Sequence, residues 1–91
     1  MKKIEQLKKE AGSEFYNALV KAAKLVKEMD GMSYTLDRNR KLQVIELTRP
    51  MFREVHKGNK KLLYSVIKNI RAEADEKLKR GMDNNGTYFI D

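Results

Sequence analysis

Cysteine is absent from this 91-residue chain, and so is tryptophan. Without thiols there is no disulfide, no cysteine-based zinc site and no thiol nucleophile, which is the pattern expected of a cytoplasmic protein. Histidine occurs once, at His56, so one chain cannot supply a two-histidine metal site, and a histidine relay lacks its parts. Ser13, Ser33 and Ser65 sit in no nucleophile-elbow context. The five glycines are isolated, which excludes a phosphate-cradling loop or a dinucleotide fingerprint. Asp83, Asn85 and Thr87 are spaced like the start of a calcium loop, but Tyr88 stands where that loop demands glycine. No apolar run approaches the roughly 20 residues that span a bilayer. The opening MKKIEQLKKEA lacks the apolar centre of a signal peptide. These absences predict a small soluble protein that is not an enzyme, with no cofactor, no metal and no membrane partner.

What the sequence does hold is positive charge. Twenty Lys and Arg stand against 13 Asp and Glu, for a net charge of +7. The excess peaks between Arg38 and Lys61, where eight basic residues meet only Glu46 and Glu54. A basic surface of this kind favours polyanions, either nucleic acid or an acidic protein face.

A chain of this length folds as one domain, here residues 1–91, burying roughly 60 to 65% of its unfolded surface. Ile4, Leu7, Ala11, Phe15, Leu19, Ala22, Val26 and Met29 recur at steps of three and four, predicting a long first helix. Gly12-Ser13 interrupts it without shifting the phase of the stripe, so one kinked helix is expected. Gly31 is placed to end it in the left-handed conformation. A further helix is expected from an Asn59 cap to Arg80, with Gly81 as its stop and Leu63, Val66, Ile67, Ile70, Ala74 and Leu78 on its inner face. Phe15, Leu19, Val26, Ile67, Ile70 and Ala74 are the expected core between these two helices.

The stretch between them, YTLDRNRKLQVIELTRPMF, is ambiguous. As a helix it would spread apolar residues over two faces, Leu42, Ile45 and Phe52 on one and Val44, Leu47 and Met51 on another. Pro50 would also cost about 3 kcal/mol in a helix interior. As a hairpin over residues 33–47, its branched residues suit strands, Asp37 to Arg40 supply a turn, and Pro50 falls in the first turn of a following helix. Thr87 to Ile90 offers one more strand. The sequence therefore predicts an α+β fold: a long N-terminal helix, a β-hairpin, one or two further helices and a short C-terminal strand. The alternative is an all-α three-helix bundle.

Residues 34–61 resemble part of the phage regulatory protein Rha and related phage antirepressors. In that family a Tyr-x-Asp-rich hairpin leads into Leu-Thr-Arg-Asp-Gly-Phe and then a helix with Gly-Lys-Lys. The matching residues are Tyr34, Asp37, then Leu47-Thr48-Arg49-Pro50-Met51-Phe52, then Gly58-Asn59-Lys60-Lys61. Pro50-Met51 replaces Asp-Gly, Asn59 is an insertion, and residues 1–31 show none of the family's usual helix-turn-helix-like element. The resemblance implies a phage or mobile-element origin, a role in regulating genes during infection, and no catalytic residues.

Two functions fit. In the first, the protein is a regulator that binds DNA or RNA through Arg38, Arg40, Lys41, Arg53, Lys60, Lys61, Lys68 and Arg71, with Tyr64 or Tyr34 stacking on exposed bases. In the second, the same surface docks on an acidic or nucleic-acid-binding host protein as a small inhibitor or adaptor. A homodimer through a strand edge or the first helix is compatible with either.

Overall fold

The computed structural model describes residues 3–58 and 60–83, which form three helices and no β-strand. Helix α1 spans Lys3–Glu28, α2 spans Tyr34–Lys57 and α3 spans Lys61–Asp83. The all-α bundle is therefore the architecture, and the α+β expectation is overturned. The expected hairpin at residues 33–47 lies almost wholly inside α2. Its first residue, Ser33, is the helix cap, with extended backbone (φ −129°, ψ 118°) and Oγ accepting from the Leu36 N–H at 3.3 Å. The expected strand at Thr87–Ile90 and the expected cap Asn59 lie outside the described residues.

Pro50 sits in the interior of α2, not in a first turn. The carbonyl that loses its donor belongs to Glu46, and Glu46 and Pro50 are both exposed, on the solvent side of the helix. The turn just before the proline is tied from two sides. The buried Thr48 hydroxyl donates to the Val44 carbonyl at 2.8 Å. From α3, Arg71 donates through Nε to Thr48 Oγ1 at 2.8 Å and through Nη2 to the Ile45 carbonyl at 3.1 Å.

The apolar spread that argued against a helix is what a middle helix requires, because α2 packs on both neighbours. Two clusters result. Val44 joins Ala22, Val26, Met29, Ala74 and Leu78 in one. Met51 and Val55 join Leu19, Leu63 and Ile67 in the other. Of the expected core, Leu19, Val26, Ile67 and Ala74 are buried, while Phe15 and Ile70 are partly buried and pack against the clusters.

Helix α1 has the expected break. Gly12 has φ 79° and ψ 167°, a region essentially reserved for glycine. Gly31 has φ 75° past the end of α1, as its position predicted. Gly81 does not stop α3; it is buried inside the helix, which continues to Asp83.

Helix ends are completed by residues far away in sequence. The first turn of α3 contains no acid, and Glu10 of α1 supplies one, its Oε1 accepting from the Leu63 N–H at 3.1 Å. Reciprocally, Lys77 of α3 donates to the Val26 carbonyl in the last turn of α1 at 2.8 Å. These two ties show that α1 and α3 run parallel, with α2 antiparallel to both. At the α1–α2 turn, buried Asp37 accepts from the Gly31 N–H at 2.9 Å and the Asp30 N–H at 3.3 Å.

Candidate nucleic-acid interface

At about 100° per residue, Arg38, Lys41, Ile45, Arg49, Phe52 and His56 fall within roughly 80° of one another on α2, with Arg53 just beside them. Lys60, Lys61, Tyr64, Lys68, Arg71 and Asp75 fall within roughly 100° on α3 or its approach. Contacts between the helices show that these two stripes adjoin. Lys41 pairs with Asp75 at 2.7 Å. Phe52 meets Tyr64 edge to face, with ring centroids 5.9 Å apart and planes at 81°. The Arg71 guanidinium lies 4.5 Å from the centroid of Phe52, and the Lys68 ammonium 5.4 Å from that of Tyr64. At the end of the seam, Val55, His56, Gly58, Lys60, Lys61 and Tyr64 line an open pocket of about 280 Å³.

The residues expected to bind polyanions divide into three groups. Arg38, Arg53, Lys61 and Lys68 are exposed on this face and have no ion pair among the described residues. Lys41 and Lys60 lie on the face but are engaged, Lys41 by Asp75 and Lys60 by Glu54 at 4.0 Å. Arg40 and Arg71 are structural. Arg40 stands roughly 140° away from Ile45 around α2. It turns toward α1, reaching Asp37 at 3.3 Å and Glu28 at 3.9 Å. Arg71 is held by Thr48 and the Ile45 carbonyl. Burial first, and then the charge of Arg49, pull its pKa below the ordinary arginine value, while Asp75 opposes them. The expected turn cluster of Arg38, Arg40 and Lys41 therefore does not form as a turn: Arg38 and Lys41 share a side of α2, while Arg40 points to another. Tyr34, the other candidate for stacking, is partly buried and packs against the core cluster that contains Val26 and Val44.

No family model, curated protein or solved structure matches this chain. What it does must be argued from its own surface.

That surface includes three residues the sequence reading did not assign to a site. Arg49, Phe52 and His56 join the stripe once α2 is a helix, and their i, i+3, i+7 spacing would have grouped them. The described residues hold no group of three His, Cys, Asp or Glu side chains placed to bind a metal. None of the described helices is long and apolar enough to cross a membrane. What the arrangement offers chemically is a row of solvated cations beside two aromatic rings.

Proposed function

We propose that the protein is a small non-enzymatic regulator that binds nucleic acid through the α2/α3 face. One observation supports this above the rest. Arg38, Arg49, Arg53, Lys61 and Lys68 are all exposed along one side of the bundle beside Tyr64. The acid within the stripe, Asp75, is already bound to Lys41. Such a row repels cations and attracts phosphates, and each contact releases condensed counterions from the nucleic acid. The resemblance of residues 34–61 to the phage regulatory protein Rha adds gene regulation in a phage or mobile element as the setting.

The test is charge reversal on two faces. Replacing Arg38, Arg53 and Lys61 together with glutamate should weaken binding on the order of a hundred-fold at low salt and flatten the log-affinity against log-salt slope by about three. None of the three is buried, so the helical circular dichroism should be unchanged. Reversing Lys9, Lys24 and Lys27 on α1 removes the same charge and should cost only a few-fold, since those residues are exposed on a different helix from the face. Equal losses from the two triples would mean that net charge alone matters. No binding of the wild type to DNA or RNA at low salt would overturn the proposal and leave an acidic host protein as the partner, with the protein acting as an inhibitor or adaptor.

A further inference from the structure

The pocket at the α2–α3 turn differs in chemistry from the rest of the basic face. Its wall is Tyr64, 39% exposed and braced edge-on by Phe52. Its floor includes the buried side chain of Val55. Three nitrogen-bearing side chains, His56, Lys60 and Lys61, also line it. A pocket lined only for phosphate would not need an aromatic wall or an apolar floor. A pocket for an apolar side chain would not be ringed by lysines. The combination suits one planar ring with an anion attached, and at about 280 Å³ it lies at the small end of ligand pockets.

Building on the nucleic-acid reading above, we infer that this pocket receives an unpaired nucleobase stacked on Tyr64, with the adjoining phosphate held by Lys61 and Lys60, so that the face selects single strands over duplex. A base inside a duplex has its faces covered by its neighbours and cannot enter; a base in a flexible strand can. Every base has a π-face, so the contact is tolerant of sequence. The flanking cations Lys68, Arg53, Arg49 and Arg38 continue the path along the seam, where a strand's backbone would follow. Lys68, now over the Tyr64 ring, is exposed and is displaced toward a phosphate when the ring is taken by a base. Glu54, which lies near Lys57 and Lys60 at 3.9 and 4.0 Å, weakens the hold of Lys60 and leaves Lys61 as the main phosphate contact.

The experiment compares fluorescein-labelled dT12, U12 and a 12-base-pair dT:dA duplex by anisotropy at fixed salt, with wild-type protein and two variants. The wild type should bind both single strands at least ten-fold more tightly than the duplex. Tyr64→Ala should lose about ten-fold or more on the strands and less than two-fold on the duplex. Tyr64→Phe keeps the ring and should restore strand binding, which a merely structural role for the hydroxyl would not predict. Thermal melts of both variants verify the fold, and the preference of the wild type for strand over duplex carries the test if Tyr64→Ala fails to fold. Equal or tighter duplex binding overturns the inference while leaving the basic-face reading intact, and so does an equal loss on strand and duplex from Tyr64→Ala. Absence of binding to all three probes overturns both.

Discussion

Gly12 and Pro50 make an instructive pair. By intrinsic propensity proline is the stronger helix breaker, at about 3 kcal/mol against about 1 for glycine. Yet α1 breaks at Gly12, while α2 runs through Pro50 without interruption. The difference lies in what surrounds each residue. Around Pro50, Met51 and Thr48 are fully buried, and Arg71 reaches across from α3 to hold the preceding turn. Gly12 itself is exposed, and a β-carbon built there would meet nothing within 4 Å beyond its chain neighbours and its own helix backbone. Beyond the break, the short N-terminal segment is placed where Glu10 caps α3. A helix therefore continues or stops according to its tertiary partners, and local propensity is only the opening bias.

The comparison can be broken most sharply at Met51. Its side chain is fully buried beside the proline and in contact with the cluster around Leu19, Leu63 and Ile67. Met51→Ala should cost about 2–5 kcal/mol in urea denaturation. A loss below about 1 kcal/mol would show that packing is not what carries α2 past Pro50. A smaller effect is expected at Gly12. Because its φ and ψ are open essentially to glycine alone, Gly12→Ala should destabilise by about 1–3 kcal/mol through torsional strain, with no steric clash. Unchanged stability in the same assay would mean that α1 can re-form as a straight helix without loss.

The smallest effect is expected at Pro50 itself. Pro50→Ala returns a donor to the Glu46 carbonyl but loosens the unfolded chain, for a net gain of about 1–2 kcal/mol. In an Arg71→Met background that gain should grow by about 0.5–1 kcal/mol, because the turn before the proline is no longer tied from outside. A double-mutant cycle with no coupling would show that Arg71 and Pro50 act independently.

Much of this could be read from the residues alone. The stripes of α1 and α3 are one-sided, since each of those helices has one broad face to bury, and a 3.6-residue period announces such a face directly. Helix α2 hid itself for a physical reason. It packs on two neighbours, so Val44 and Met51 point one way and Ile45 and Phe52 another, and the pattern loses its single direction. Pro50 then weighed against a helix, because the partner that stabilises its turn, Arg71, stands 21 positions later in the chain. The same residue misled the reading of the site. Arg71 shares a helical stripe with Lys61, Tyr64 and Lys68, which is correct. Its guanidinium is nonetheless spent on Thr48 and a carbonyl, a fate that no local pattern reveals. Arg38, Arg53, Lys61 and Lys68 were found as solvated cations because charge on an exposed face needs no partner to be legible.

The reciprocal ties between Glu10 and α3, and between Lys77 and α1, bear on how the chain acquires its shape in time. Each joins residues more than 50 positions apart. During synthesis the last turn of α1 emerges long before the lysine that satisfies its carbonyl. Glu10, by contrast, waits for the amide it serves. Neither helix end is complete until α3 has left the ribosome and docked. The first helix should therefore fray and re-form as an isolated segment, and the three helices should lock together in one late, cooperative step.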